Sequence, residues 1–370
     1  MAYIWQLENW PNFYIDENKF AKDETTFRDL AGQSVGYLEG IPKSDKEESI
    51  ITMLVKEAIK TSAIEGEMIS KVDLISSIKK NMGIKTPSKI IKDKRSEGIA
   101  ELLILSREEF TDNLSQAKLY QWHSLLMKGT KNIEIGNWRT HTEPMQIISG
   151  AYGKEKVHYE APPSSAISKE MKQFIAWYNS TKPNNKNQPS NSLVRSAIAH
   201  LYYESIHPFE DGNGRIGRIL AEKVLSQGLN RPVLLSLSGA IENDKKNYYN
   251  YLNKAQVQNR IDDWIKYFCS ICIKAQTEFI QSVQYSLKKS RFFIAKTPLL
   301  NDRQLKMLQR VLAGSMEGDF IGGINATKYQ SINKTSKATA TRDLQDLVLK
   351  NILIVTHAGR STSYEVNLEE

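Results

Sequence analysis

The sequence predicts a mainly α protein with one small β-hairpin near its middle and a helix–helix–helix–hairpin run at its end. Three observations predict it. Apolar residues recur at helical spacing along most of the 370 residues. Residues 136–163 break that period and hold three glycines, three prolines and several β-formers. After residue 298 the helical pattern returns and then gives way to two short β-rich runs. The length predicts roughly two or three domains. A chain 40% hydrophobic and 25% charged has enough apolar sequence for a core, which excludes disordered and collagenous classes. No run of 18 apolar residues occurs, so no membrane span is expected. Met1-Ala-Tyr-Ile-Trp lacks the layout of a signal peptide. Two cysteines predict a reducing compartment, hence a cytoplasmic protein.

The elements follow in order. Residues 45–62 carry Ile50, Ile51, Leu54, Val55, Ala58 and Ile59 on one helical face. A second periodic run covers 68–78, interrupted by Asn81-Met82-Gly83 and Thr86-Pro87-Ser88. Helices are expected over 90–110 and 117–127. Met145–Ile148 and Lys156–Tyr159, joined through Ser149-Gly150-Ala151-Tyr152-Gly153, read as a hairpin. Helices resume over 164–179, 192–205, 216–228, 244–255 and 261–279, with a surface loop at 181–191. The tail reads as helices over 301–312, 327–332 and 337–350. A hairpin over 352–355 and 363–366 follows, turning at His357-Ala358-Gly359-Arg360. A boundary is expected near 289–298.

Charge divides the chain. Residues 1–114 carry 16 basic and 20 acidic side chains, residues 115–287 carry 21 and 14, and residues 288–370 carry 13 and 8. The net +8 therefore resolves into an acidic front, a basic middle and a basic tail, which predicts segments with different partners.

The densest chemistry is His207-Pro208-Phe209-Glu210-Asp211-Gly212-Asn213-Gly214-Arg215-Ile216-Gly217-Arg218. Pro208 ends one helix, two glycines allow a tight loop, and a new helix begins near Arg215. Backbone N–H groups at that helix start favour an anion. Arg215 and Arg218, three apart, share a face of the first turn. Cations there oppose the helix dipole, and such a broken local rule tends to mark function. Two arginines beside an N–H cradle suit a polyphosphate. Asp211 could hold Mg²⁺, which takes one or two carboxylates plus phosphate oxygens. His207 is a candidate general base. Gly212–Gly217 also matches G-x-G-x-x-G, but the preceding segment is helical where a dinucleotide fold needs a strand, and no G-x-x-x-x-G-K-[ST] occurs.

Residues 207–218 match His-Pro-Phe-x-Asp/Glu-Gly-Asn-Gly-Arg-x-x-Arg at every defined position, and the chain thereby resembles the Fic family. Gly136-x-x-Arg139, the 145–159 hairpin and Pro162-Pro163 resemble that family's flap region, and Tyr248-Tyr249 its tyrosine pair near the adenine. The likeness covers about residues 1–280. It implies a Fic helical core with a hairpin flap, an N-terminal helical region and transfer of AMP from ATP to a protein hydroxyl. By the same likeness His207 deprotonates the target hydroxyl and Asp211 binds Mg²⁺. Gly212, Asn213 and Gly214 cradle the phosphates, with Arg215 on the β-phosphate and Arg218 on the γ-phosphate. Val157, His158, Tyr159 and Glu160 would lie near the base, and the 145–159 hairpin would dock the protein substrate by its edge. Phe209 reads as core and Glu210 as solvated.

Thr61-Ser62-Ala63-Ile64-Glu65-Gly66 matches the family's inhibitory pattern Ser/Thr-x-x-x-Glu-Gly/Asn. The likeness implies that Glu65 pairs with Arg218 and occupies the γ-phosphate position. Gly66 suits a helix C-cap.

Cys269-x-x-Cys272 lies in an apolar helix without a second cysteine pair, so core packing is expected rather than metal binding. His123, His141, His200 and His357 show no ligand spacing and read as structural or surface; His158 stands apart because of the flap. The tail resembles a winged helix, with a recognition helix starting near Lys337 and with His357 and Arg360 on the wing. It leaves open a DNA or protein contact through 327–366, as the chain leaves open a homodimer. The division expected is 1–114 as an N-terminal helical region with an inhibitory helix, 115–287 as a catalytic domain and 298–370 as a winged helix. Two other functions remain: a phosphotransferase of the same fold, and a DNA-binding regulator whose core senses nucleotide.

Overall fold

The computed structural model describes residues 2–85, 90–149, 156–185, 187, 189, 191–314, 323–357 and 362–369. The chain divides into two compact units, residues 1–35 with 50–280 and residues 36–49 with 281–370. Helices dominate both.

The elements in order are 3-10 turns at Ile4–Gln6 and Glu17–Phe20, then α1 (Ala21–Glu39), α2 (Lys43–Ile64), α3 (Lys71–Asn81), α4 (Lys94–Glu108) and α5 (Gln116–Leu126). The antiparallel pair β1 (Gln146–Ser149) and β2 (Lys156–Glu160) follows. Next come α6 (Ser164–Ser180), α7 (Ser192–Ile206), α8 (Asn213–Leu229), α9 (Leu237–Glu242), α10 (Lys245–Ala255) and α11 (Asp262–Lys296). The tail holds α12 (Asp302–Gly314), α13 (Ala326–Asn333), α14 (Lys337–Leu349), β3 (Leu353–His357) and β4 (Ser363–Val366).

The core of the first unit is built around α7, whose residues from Ser192 to Ile206 are all buried. A helix buried on every side needs its polar ends satisfied. Asn191 caps it by accepting from the Val194 N–H, and Glu24 of α1 accepts from Ser192 Oγ and the Leu193 N–H at 2.7 and 3.0 Å. Leu193, Ala197 and Leu201 pack with Ala221 and Leu225 of α8 and with Trp264 and Phe268 of α11. Phe20, Phe27 and Ile64 join the same cluster, so the N-terminal segment is part of this core. Each large apolar side chain buried there contributes about 1.5–3 kcal/mol.

Three elements depart from the sequence reading. Helix α1 was not expected: its inward face mixes Phe27, Ala31 and Leu38 with buried Glu24 and Ser34, so its apolar period is faint. The short α9 was hidden likewise; it starts on Ser236, whose side chain accepts from the Gly239 N–H. Helix α11 runs unbroken to Lys296, past the expected end at 279, because its apolar face continues through Ile280, Val283 and Phe292.

In the second unit the expected order of helix, helix, helix and hairpin is the observed one. Met307, Leu308, Tyr329, Leu344, Leu347, Ile352 and Tyr364 form its core. Strand β3 pairs antiparallel with β4, and Ile324 bridges to Tyr364. Asp343, buried in α14, accepts from Arg303 Nε at 2.8 Å and Tyr329 Oη at 2.9 Å, tying the three helices together. The expected turns at 150–153 and 358–360, Arg360 included, and the break at 86–88 lie outside the described residues. Cys269 and Cys272 are buried and unpaired, as core cysteines are.

Among the described residues no helix is long and apolar enough to cross a membrane.

Candidate active site

The loop between α7 and α8 is held from four sides. His207 ends α7 in the left-handed region (φ 51°). Arg139, 1% exposed, donates from Nε to the His207 carbonyl at 2.8 Å, and its backbone N–H donates to the Pro208 carbonyl at 2.9 Å. The same guanidinium reaches Ser164 Oγ and the Pro162 carbonyl, joining the loop to the base of the hairpin. Asn213 is spent on the loop itself: its Oδ1 accepts from the Phe209 N–H and its Nδ2 donates to the Phe209 carbonyl. Phe209 is fully buried, as expected.

His123 of α5 is the fourth support. Its ring stacks on Phe209, with centroids 4.0 Å apart and planes 1° from parallel. Its Nδ1 accepts from the Gly136 N–H at 2.9 Å, which leaves the proton on Nε2 to donate to the Asp211 carbonyl at 3.2 Å. Burial holds this imidazole neutral by pushing its pKa down to about 4.

Helix α8 begins at Asn213, two residues before the start expected, so Arg215 and Arg218 lie in its first two turns. Gly212 adopts φ 81°, and a Cβ there would run into Met127 and Leu126. The first amides of α8 have no intrahelical partners and face the cleft end of the helix. Gly214 offers no side chain where a Cβ would overlap the Glu65 carboxylate.

A cleft lies over this loop. His207, Asp211, Gly212, Asn213, Gly214 and Arg218 line one side, with Glu204 and Glu210 beside them. Tyr248, Tyr249, Leu252, Asn253 and Gln256 of α10 and its end line another, and Glu65 and Ile147 complete it. His207 is held neutral, with its pKa pushed down to about 4, first by burial and then by the positive charge of Arg139. Glu204 sits one turn before it, with Oε2 3.8 Å from His207 Nδ1. Burial pushes the Glu204 carboxyl up to about 8, and its Oε1 is buried with no hydrogen-bond partner. Gly217 makes room for it, since a Cβ there would overlap Glu204 Oε1. The Asp211 carboxyl, 48% exposed, accepts from the Gly212 N–H and lies 3.3 Å from Arg215.

Both arginines are engaged by α2 and the turn that follows it. Arg218, 1% exposed, donates from Nε to Thr61 Oγ1 at 2.8 Å, and from a terminal nitrogen to the Thr61 carbonyl at 3.2 Å and Glu65 Oε1 at 2.7 Å. Thr61 lies in the last turn of α2 and Glu65 directly follows its end. Arg215 pairs with Glu67 Oε2 at 2.5 Å. Lys245 of α10 donates to the Ile64 carbonyl at 2.5 Å, fastening the end of α2 to the tyrosine-bearing helix.

Most of the residues singled out by sequence meet in this cleft. Arg215 does not line it and points to Glu67 and Asp211. Val157, His158, Tyr159 and Glu160 do not line it either; the hairpin contributes Ile147 of β1. Tyr159 is 1% exposed, its hydroxyl donates to the Ser205 carbonyl at 2.6 Å and its ring meets Tyr3 edge-on. Strand alternation turns that side chain to the core. Glu210, expected to be solvated, accepts from the Glu134 N–H at 3.0 Å. Sequence reasoning read His123 as structural or surface and passed over Glu67, Glu204, Leu252, Asn253 and Gln256. The last three repeat the Tyr248 and Tyr249 faces at intervals of four, a signal that was there to use.

The hairpin and the far wall are joined by the chain's first residues. Trp5 Nε1 donates to the Glu160 carbonyl at 2.8 Å, and the Ile4 N–H donates to the Gln256 carbonyl at 2.7 Å.

A helical core carrying a His-Pro-Phe loop ahead of an arginine-bearing helix is similar to known Fic proteins. Residues 113–225 match the Fic/DOC family. Residues 3–84 match a domain of unknown function, DUF4172. Among similar proteins, "Protein adenylyltransferase Fic" of Nematostella vectensis is 30% identical over 118 residues, 31% of this chain and 25% of that one. "Protein adenylyltransferase fic-1" of Caenorhabditis elegans is 26% identical over 204 residues, 53% of this chain and 35% of that one. The chain thus spans between a quarter and about a third of the length of these relatives. A Fic family protein from Desulfovibrio desulfuricans G20 shares the fold at TM-score 0.54 and 18% identity, over 98% of this chain and 99% of that one. A Fic domain-containing signaling protein from Bacteroides thetaiotaomicron VPI-5482 does so at 0.53 and 18%, over 70% and 97%.

Proposed function

We propose that the cleft transfers AMP from ATP to a Ser, Thr or Tyr hydroxyl of a target protein and that Glu65 restrains it. The observation that carries this reading is one juxtaposition. Neutral His207, the start of α8 and Arg218 face one cleft, and Glu65 covers the arginine at 2.7 Å. The target hydroxyl oxygen attacks the α-phosphorus while its proton passes to His207. The bond from the α-phosphorus to the bridging oxygen breaks, and pyrophosphate leaves. His207 acts through Nε2, because Nδ1 faces the end of α7.

The α8 amides at Gly212, Asn213 and Gly214 cradle the phosphates, Arg215 takes the β-phosphate and Arg218 the γ-phosphate. These preorganised donors stabilise charge as it shifts toward the leaving group. Asp211, a half-exposed carboxylate at the cleft, suits Mg²⁺, an ion that takes one protein carboxylate with phosphate and water oxygens. Bound there, the ion would neutralise phosphate charge. Tyr248 and Tyr249 form the base wall. Hairpin β1–β2, with Ile148 and Val157 exposed, is an edge on which an extended target segment can pair.

In this reading residues 1–114 restrain, 115–287 catalyse and 298–370 form a winged helix. The exposed Lys337 and Arg342 of α14 favour a duplex contact by that tail, which a salt-dependent binding assay tests. The test of the main reading is labelling. With Glu65→Gly, α-labelled ATP marks protein and γ-labelled ATP does not; γ-label on protein makes it a phosphotransferase, and no label with duplex binding makes it a regulator.

A further inference from the structure

Glu65 is not the only carboxylate on the phosphate-binding arginines. Glu67 Oε2 lies 2.5 Å from Arg215, whose side chain is 3% exposed, and Glu65 Oε1 lies 2.7 Å from Arg218. Residues two apart in an α-helix point about 200° from each other and cannot face one surface together. Gly66 resolves this by leaving the helix at φ 78°, so that the two flanking carboxylates both face α8. On α8 the two arginines are three apart and share a face. The turn is built rather than loose: the Glu65 and Glu67 N–H groups both donate to the Ser62 carbonyl, at 3.1 and 2.9 Å, and Lys245 holds the Ile64 carbonyl. Arg215 Nε is buried with no hydrogen-bond partner, so this guanidinium retains a donor that Glu67 does not use.

We propose that Glu67 is a specificity-determining residue: it occupies Arg215 in place of a β-phosphate, so that Glu65-Gly66-Glu67 sets which polyphosphate lengths the cleft accepts. The inference rests on the reading that Arg215 and Arg218 hold the β- and γ-phosphates. Two carboxylates on two guanidiniums reproduce the charges of two neighbouring phosphate groups. Neither buried arginine can be left without an anion at small cost, so ligand and turn exchange places. AMP meets neither carboxylate, a diphosphate must displace Glu67, and a triphosphate must displace both.

Calorimetric titration of the full chain with AMP, ADP and ATP, each with Mg²⁺, tests this in wild type, Glu65→Gln and Glu67→Gln. A charged hydrogen bond of this kind corresponds to about tenfold in affinity. Glu67→Gln is expected to tighten ADP and ATP about tenfold and leave AMP unchanged, and Glu65→Gln to tighten ATP alone. Weaker or unchanged ADP binding in Glu67→Gln overturns the proposal, because Glu67 would then orient Arg215 rather than compete for it. Equal tightening of AMP overturns it as well, since that is a general charge effect. Should Glu67→Gln melt below the assay temperature, Glu67→Asp, which keeps the charge and shortens the reach, is expected to shift ADP in the same direction by less. A flat ADP response in that variant counts against the proposal in the same way. Failure of AMP transfer shows separately, as absence of protein labelling while the ADP and ATP pattern stands. Absence of nucleotide binding in every variant overturns both.

Discussion

The Arg218 guanidinium donates to Glu65 at 2.7 Å while Thr61 takes its Nε, so this buried arginine is already held by the end of α2 and the residue after it. Glu65→Gly frees it. AMP transfer to protein is expected to rise at least about tenfold, the factor that a charged hydrogen bond of about 1.5–3 kcal/mol supports. Gel autoradiography with α-labelled ATP measures it, and equal labelling of wild type and variant removes the restraint model. The freed arginine is buried, so the variant is also expected to melt earlier and to regain stability with ATP.

Burial and the Arg139 charge push the His207 pKa down to about 4, which favours the neutral imidazole around pH 7. Transfer by Glu65→Gly is therefore expected to stay level as pH falls from 8 to about 6 and to decline only on approach to about 4–5. Arg139 contributes to the low value through its charge. Arg139→Met, which keeps bulk and removes charge, is expected to move the acid limb upward toward the ordinary 6.5. A limb that stays put would mean that burial alone sets it.

His123 acts through the loop without touching a reactant. His123→Phe keeps the stacking on Phe209 and loses both hydrogen bonds, which leaves the Asp211 carbonyl and the Gly136 N–H unpaired at about 1–3 kcal/mol each. Thermal melts measure that cost. Because Asp211 carries the proposed Mg²⁺ contact, the Mg²⁺ concentration for half-maximal transfer is expected to rise; a change in melting temperature alone would assign His123 a purely structural role.

Glu204 keeps its proton in the fold up to about 8, whereas the unfolded chain gives it up near 4.5. Between those values the folded state binds more protons, so this group's contribution to stability is present below 4.5 and falls as pH rises toward 8. Glu204→Gln cannot ionise. Its melting temperature is expected to gain on wild type from pH 5 to pH 8 and then hold a constant lead. Parallel curves across that range would show that Glu204 is already ionised in the fold.

Gly217 stands where a Cβ would overlap Glu204 and crowd His200. Gly217→Ala is expected to cost about 1–3 kcal/mol by chemical denaturation. Glu204→Ala in the same chain should return part of it, and purely additive losses would show that the two sites do not share this space.

The loop over 207–218 was legible because its chemistry is contiguous: twelve residues carry the histidine, the carboxylate, the glycines and both arginines. Glu65 was legible because Thr61, Glu65 and Gly66 sit at fixed offsets. Glu67 was not, because it acts on a partner 148 residues away that only packing reveals; the i,i+3 spacing of Glu204 and His207 was visible but the burial of Glu204 was not, and His123, read as structural or surface, finds its partner 88 residues away. The burial of Tyr159 was not legible, because a two-residue period assigns alternating faces without saying which face meets the core. Helix α1 was missed because Glu24 and Ser34 interrupt the apolar stripe that would have announced it.

Trp5 and Ile4 join the hairpin to the far wall of the cleft, and Gln256, Tyr248 and Glu65 all lie outside the 113–225 stretch that matches the family. Residues 3–84, with Ile4, Trp5 and Glu65, match a second family model, while Tyr248 and Gln256 lie beyond both matched stretches. A fragment cut to residues 113–225 would keep every residue of the His-Pro-Phe loop and lose Glu65, Tyr248, Tyr249 and the Trp5 contact to the hairpin together. Excision experiments on this chain have to begin at its first residues.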